Sequence, residues 1–267
     1  MSVDIKSPKE IEAMRVVGRM AAETLLVVGD RIRAGMSTED INTLVHEDTL
    51  KRGGFPAPLN YRGFPKSVCT SINDVVCHGI PGPEVIRDGD IINVDVTTIY
   101  GGFHGDTSAT FYIGTPKPEA RLVVETARKA LELGIAEVRE GARLGDIGAA
   151  IQQYVEAAGC SVVRDYVGHG IGRKFHEPDP QVKHYGRRGV GERLKAGMIF
   201  TIEPMVNTGA FEVHADPVDK WTVRTVDGSL SAQFEHTCLV TKTGVEVLTL
   251  RDRPLRMSEN VVTALAG

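Results

Sequence analysis

Five residues combine charge, spacing and setting in a way that bears on chemistry: Asp95, Asp106, His169, Glu203 and Glu235. The first two lie in Asp90–Thr110, DIINVDVTTIYGGFHGDTSAT, which reads as two strands joined by a glycine turn. Ile92, Val94 and Val96 alternate with Asn93, Asp95 and Thr97, the period-two pattern of a half-buried strand, and Gly101-Gly102 supplies the turn. A turn near Tyr100-Gly101 would set the two carboxylates opposite or diagonal on one face, with Cβ atoms roughly 4.5–8 Å apart. So close a pair resists double ionisation unless a cation lies between them. A turn-forming Asp beside a solvent-facing one accounts for this stretch equally well. Glu203 and Glu235 extend the case, because Ile199-Phe-Thr-Ile-Glu203 and Gln233-Phe-Glu235-His-Thr place a charge among apolar residues in expected strands. Four clustered carboxylates call for several positive charges, and two divalent cations would supply them. Oxygen-dominated ligation with one imidazole suits Mn²⁺, Fe²⁺, Co²⁺ or Zn²⁺ rather than a thiolate-type structural zinc site. Two such ions about 3.5–4 Å apart can share a water, lower its pKa and clamp attacking and departing atoms.

The elements that must position these residues form a pattern that runs twice, in an α+β arrangement. Ser7-Pro8-Lys9-Glu10 reads as an N-cap, first-turn proline and capping box, followed by apolar positions Ile11, Met14, Val17, Met20, Ala21, Leu25 and Val28. A second helix opens at Ser37 or Thr38, turns Ile41, Leu44, Val45 and Leu50 inward, and ends at Gly53-Gly54. Strands follow near Ser67–Cys77 and in the Asp90–Thr110 hairpin. Helices recur over Pro116–Arg139 and Leu144–Ala158, then strands near Ser161–Tyr166, Met198–Val206, Trp221–Val226, Ser231–Thr241 and Glu246–Leu250. Arg33–Ile41 matches Arg139–Ile147, His78-Gly79-Ile80 matches His169-Gly170-Ile171, and Gly89–Asp95 matches Gly197–Glu203. The expectation is one domain, 1–267, of two αα-plus-β halves (about 5–115 and 116–250) and a tail, 251–267, with the site in the cleft between halves.

At 267 residues the chain can bury a substantial core, and 42% hydrophobic with 25% charged residues is ordinary for a globular protein. A net charge of −4 argues against a broadly basic nucleic-acid or membrane-binding surface. No secretory signal and no membrane-spanning apolar run is visible, and Cys69, Cys77, Cys160 and Cys238 show no CxxC spacing. Reduced thiols in the cytoplasm are the expectation.

The order His78, Asp95, Asp106, His169, His176, Glu203, Glu235, with Gly168-His169-Gly170-Ile171-Gly172-Arg-Lys-Phe-His176-Glu177 and Ser231-Ala-Gln-Phe-Glu235-His236, resembles the creatinase/prolidase "pita-bread" family. Within it the likeness is to type I methionine aminopeptidases and extends from Ile5 to about Leu250. The resemblance implies a two-half pita-bread fold around a mostly antiparallel sheet. It implies that Asp95 holds one metal, that Asp106 and Glu235 bridge both, and that His169 and Glu203 complete the second. It also implies catalytic roles for His78, His176 and Glu203, the last as proton acceptor, and a weaker Na⁺ or K⁺ position at Asn73, Val75 and Ser231. Tyr61, Phe64, Cys69, Phe175 and Trp221, with His78 and His176, would form an apolar, polarizable pocket suited to a thioether; ordinary core packing is the competing account of each. The implied reaction is release of an N-terminal methionine from peptides and nascent chains when the next residue is small. A monomer, transient ribosome contact and no membrane partner are expected. Two departures are visible: Phe64 stands where a tyrosine is frequent, and Glu177–Val182 runs one residue long. A prolidase-like enzyme would carry an extra N-terminal domain, which is absent here, and a non-catalytic relative would have lost ligands. His46, His104, His184, His214 and His236 read as ordinary hydrogen-bonding residues.

Overall fold

A computed structural model describes residues 3–256; the last eleven residues of the expected tail, 257–267, lie outside the described residues. The first half contains α1 (Pro8–Arg31), α2 (Thr38–Lys51), β1 (Phe55–Pro56), β2 (Cys69–Ile72), β3 (Val75–Cys77), β4 (Ile91–Tyr100) and β5 (Phe103–Tyr112). The second contains α3 (Pro118–Ala136), α4 (Leu144–Ala157), β6 (Ser161–Val162), β7 (Gly168–Gly170), β8 (Glu177–Val182), β9 (Ile199–Ile202), β10 (Met205–Asn207), β11 (Val213–Ala215), β12 (Val223–Thr225), β13 (Ser231–Gln233), β14 (His236–Val240) and β15 (Val245–Val247).

The opening helix forms as its local signals dictate. The Ser7 hydroxyl accepts from Glu10 N, and Glu10 Oε2 accepts from Ser7 N at 3.1 Å, so two N-terminal donors are satisfied reciprocally. Met14, Val17, Ala21, Leu25 and Val28, three or four apart, are all fully buried. Each of the larger four contributes roughly 1.5–3 kcal/mol on transfer from water. Helix α1 lies directly on β5, where a Cβ added to Gly105 would stand 2.5 Å from Val17 O. Any larger residue there would push the helix off the sheet. Leu50, expected inward, is 45% exposed; Thr49 takes the buried position in that last turn instead.

The β4–β5 hairpin pairs in unbroken register from Ile91↔Tyr112 to Tyr100↔Phe103. Gly101 and Gly102 have φ of 58° and 80°, the left-handed pair that a two-residue turn matching strand twist requires. The other edge of β4 receives β2 and then β1. A three-stranded sheet runs β13-β10-β6, a second β11-β12-β3, and a five-stranded sheet β15-β14-β9-β7-β8; all pairings are antiparallel. Helices α1 and α2 pack against the first sheet, and α3 and α4 against strands of the second half. One large apolar core takes residues from both halves, including Leu25 and Phe111 from the first and Ile147 and Phe200 from the second.

The internal repeat is written into the backbone. An isolated bridge Ser37↔Val85 recurs as Arg143↔Arg193, offsets of 106 (143 − 37) and 108 (193 − 85). The hydrogen bond from Gly35 N to Ile86 O recurs from Gly141 N to Leu194 O, both 2.9 Å. Ser37 N donates to Asp40 Oδ2 as Arg143 N does to Asp146 Oδ2, each at 2.7 Å. The two halves share a frame, not only a pattern of residue types.

Candidate metal centre and substrate pocket

The hairpin register pairs Thr97 with Asp106 and Asp95 with Ser108, so Asp95 and Asp106 are diagonal neighbours on one face. Thr97 Oγ1 donates to Asp106 Oδ1 at 2.7 Å, which fixes that carboxylate, whereas Asp95 Oδ1 is buried with no hydrogen-bond partner. The glutamates differ from expectation in setting. Both were expected inside continuous strands, but the ladders break: Glu203 follows β9 and precedes β10, and Glu235 stands between β13 and β14. Each acid thus occupies a crossover between the same five-stranded and three-stranded sheets. Pro204 explains the first break, since it has no N–H to continue a ladder. Free of the ladder, the backbone N–H groups find other acceptors. That of Glu203 donates to His184 Nε2 at 3.1 Å, and that of Glu235 to Ser108 O at 3.2 Å.

His169 sits in the middle of β7. Its Nδ1 is 3.0 Å from Gly170 O, and its backbone N donates to Thr201 Oγ1 at 2.9 Å. Donation from Nδ1 to that carbonyl leaves Nε2 with a free lone pair, 3.6 Å from Asp106 Oδ2 and 3.7 Å from Glu203 Oε1. Ligand atoms of Asp106, His169 and Glu235 lie within 4.8 Å of one another. Glu203 is held by Thr201 Oγ1, donating to Oε1 at 2.7 Å, and by Gln233 Nε2, donating to Oε2 at 3.1 Å. All five residues line one cavity.

Burial, then the charges of Asp106 and Glu203, drives the Asp95 carboxyl well above its usual range; burial, Asp106, Glu203 and Asp95 do the same to Glu235. Burial also pushes Glu203 up to about 7. Burial opposes protonation of His169, but its contact with Asp106 and the charges of Glu203 and Asp106 outweigh it and raise its pKa. Groups forced out of their ordinary charge states in this way are short of positive charge. The unpartnered oxygen of Asp95, the free Nε2 and the four carboxylates form a donor set that fits divalent cations.

The cavity measures about 690 Å³, and Tyr61, Phe64, Cys69, Phe175 and Trp221 all line it beside His78 and His176. Phe64 meets Trp221 edge-on with ring centroids 5.2 Å apart, and Tyr61 packs on Phe175 at 4.9 Å. Tyr61 Oη is 2.9 Å from His176 Nδ1. Burial, then the charge of His169, holds His176 down to about 3 and His78 down to about 4, so both rings are neutral at working pH. His78 has φ of 56°, a strained conformation that turns its ring edge-on to Tyr166 and Trp221. Asn73 and Ser231 come together, Ser231 N donating to Asn73 O at 2.8 Å, while Val75 pairs with Arg224 across strands. Sequence reasoning missed Cys77, Tyr166 and Met205 as pocket walls, and no local signal marks them. His184, read as an ordinary hydrogen-bonding residue, does accept a hydrogen bond, from Glu203 N, and is fully buried behind that glutamate.

A fold of two αα-plus-β halves with buried acids and an imidazole on one cavity defines a class, and comparison with known proteins agrees. The model of metallopeptidase family M24 matches residues 12–242, and the chain belongs to that family. The methionine aminopeptidase of Rickettsia prowazekii is 49% identical over 255 residues, 96% of this chain and 98% of the relative. Methionine aminopeptidase A of Synechocystis is 53% identical over 93% of this chain and 98% of its own length. A crystal structure of methionine aminopeptidase from Rickettsia prowazekii superposes with a TM-score of 0.92, covering 93% of this chain and 100% of that one. The fold is the pita-bread fold. Among the described residues no helix is long and apolar enough to cross a membrane.

Proposed function

We propose that this chain is an aminopeptidase that removes the N-terminal methionine of peptides and nascent chains when the second residue is small. The observation that carries the reading is the meeting, in one cavity, of the Asp106–His169–Glu235 group with a wall of Tyr61, Phe64, Cys69, Phe175, Met205 and Trp221. Asp95, Asp106, His169, Glu203 and Glu235 would hold two divalent cations. When bound, those cations supply Lewis acidity toward the scissile carbonyl and a water acidic enough to ionise near neutral pH.

The chain's own residues do the rest. The aromatic and sulfur-bearing wall takes the thioether side chain, for which a soft, polarizable surface is well matched. Glu203, steadied by Thr201 and Gln233, receives the proton of the attacking water. Donation by the Tyr61 hydroxyl to His176 Nδ1 puts the ring proton on Nε2, where it hydrogen-bonds the carbonyl oxygen and strengthens that bond as charge develops. His78, neutral and turned by its strained backbone, contacts the substrate on the side of Trp221.

The enzyme works as a monomeric single domain in the cytoplasm, with transient ribosome contact, and Asn73, Val75 and Ser231 offer a position for Na⁺ or K⁺. Titrating Co²⁺, Mn²⁺, Fe²⁺ or Zn²⁺ into metal-free protein while following Met-Ala-Ser and Xaa-Pro cleavage tests the reading. Release of methionine from Met-Ala-Ser alone is the expected result; cleavage confined to Xaa-Pro would overturn it.

A further inference from the structure

Lys6 lies far from the acids in sequence, yet its ammonium is among the most deeply enclosed charges of the protein. The side chain is 1% exposed, and Nζ stands 2.6 Å from Glu177 Oε1 and 2.6 Å from Asp4 Oδ2. The Asp4 side chain is 64% exposed and that of Glu177 only 9%, so the contact with Glu177 is the buried one. The other oxygen of Glu177 is buried without a partner, which leaves Lys6 as the chief compensation for that carboxylate. The backbone is committed as well, Lys6 N donating to Gly197 O at 2.9 Å.

Glu177 is the residue directly after His176 and the first residue of β8. The segment from Gly172 to Glu177, which carries Phe175 and His176 into the cavity, is pinned at its two ends. At the first, Gly172 O accepts from His104 N at 2.9 Å and lies 3.0 Å from His104 Nδ1. At the second, Lys6 grips Glu177. The two anchors touch: a Cβ on Gly172 would stand 2.7 Å from Glu177 Oε1 and 2.8 Å from Lys6 Nζ. A larger residue there would have to displace the ends of both paired side chains. Between the anchors, Phe175 stacks on His104 with centroids 5.8 Å apart, and the His176 ring lies 4.2 Å from that of His169.

We propose that Lys6 is a positioning residue for His176: the N-terminal segment reaches across the molecule, and its buried ammonium, through Glu177, sets where the His176 imidazole stands in the cavity. The proposal rests on the reading of His176 as partner of the substrate carbonyl. A ring displaced by about 1 Å costs up to roughly 100-fold in rate, because a hydrogen bond that strengthens with developing charge depends steeply on placement.

The test is a double-mutant cycle in the metal-loaded enzyme with Met-Ala-Ser as substrate. Lys6→Met should lower kcat roughly 10- to 100-fold with KM within about twofold. In a His176→Ala background the same substitution should cost nothing further. An equal loss in both backgrounds, or full kcat in Lys6→Met, overturns the proposal. Unchanged kcat in His176→Ala alone overturns the reading beneath it, a result that the first measurement does not mimic. Glu177→Gln removes the buried ion pair and leaves the Lys6 ammonium paired with the exposed Asp4 alone, and it should reproduce the kcat loss; full activity there also overturns the proposal, even where Lys6→Met does not fold. In metal-free protein, the imidazole ¹⁵N signals of His176 should shift in Lys6→Met and Glu177→Gln, and unmoved signals would overturn it as well.

Discussion

The backbone N–H of Glu203 donates to the Nε2 of His184 at 3.1 Å, so a fully buried imidazole closes the gap left where the ladder breaks at Pro204. Removing that acceptor strands a buried donor, which costs about 1–3 kcal/mol. His184→Ala should therefore lose at least that much stability in urea denaturation and weaken turnover through the displaced carboxylate. A variant with wild-type stability would show that the contact does nothing.

Asp106 meets His169 and lies within the same few ångströms as Glu235. Asp106→Ala should abolish divalent-metal retention and peptide turnover together. Mass-spectrometric metal analysis of the purified variant decides, and a fully loaded protein would exclude a bridging role for Asp106.

His176 has Tyr61 on Nδ1 and only its Nε2 to offer a substrate. His176→Ala should reduce kcat by roughly 10²–10³ and leave KM nearly unchanged, as for a donor that acts chiefly in the transition state. Steady-state kinetics on Met-Ala-Ser provide the check; a rise in KM at constant kcat would mark a residue that only binds.

Acid stability has a separate, local origin. Asp227 is drawn down to about 2 by the Ser229 hydroxyl and then by the backbone N–H groups of Ala210 and Ser229. Asp146 is lowered by Gly189 N–H, with Arg143 N–H acting in the same sense against burial. A carboxyl with a depressed folded pKa stabilises above its unfolded value of about 3.9 and loses that contribution as pH falls toward the folded one. The melting-temperature gap between wild type and Asp227→Asn should thus be widest above about pH 5 and close only below about pH 2. A gap independent of pH would contradict the linkage.

Much of the scaffold was legible because its signals are local. The Ser7–Glu10 and Ser37–Asp40 caps, the helical spacing of Met14 to Val28 and the Gly101-Gly102 turn each act within a few residues, and the structure follows them. The repeat was legible too, since a shared frame keeps glycines at matching turns, Gly35 with φ of 90° and Gly141 with 88°. What escaped notice depends on distant partners. Strand β8, absent from the expected strands, carries Pro178 and Pro180; it exists because it is an edge strand paired only with β7. The left-handed backbone of His78 has no mark in its residue type. The candidate acids could be picked out singly as charges among apolar neighbours, but their closeness to His169 is a property of the sheet crossings. Pro204 was the one available hint of the first crossing.

Those paired crossings also govern how the molecule can breathe. The chain passes between the same two ladders twice and leaves an acid at each doorway, so neither ladder can loosen alone without dragging a carboxylate away. Cations would then escape through the cavity mouth and not by local melting. The amide protons of Glu203 and Glu235 should exchange with deuterium only as slowly as the whole protein opens.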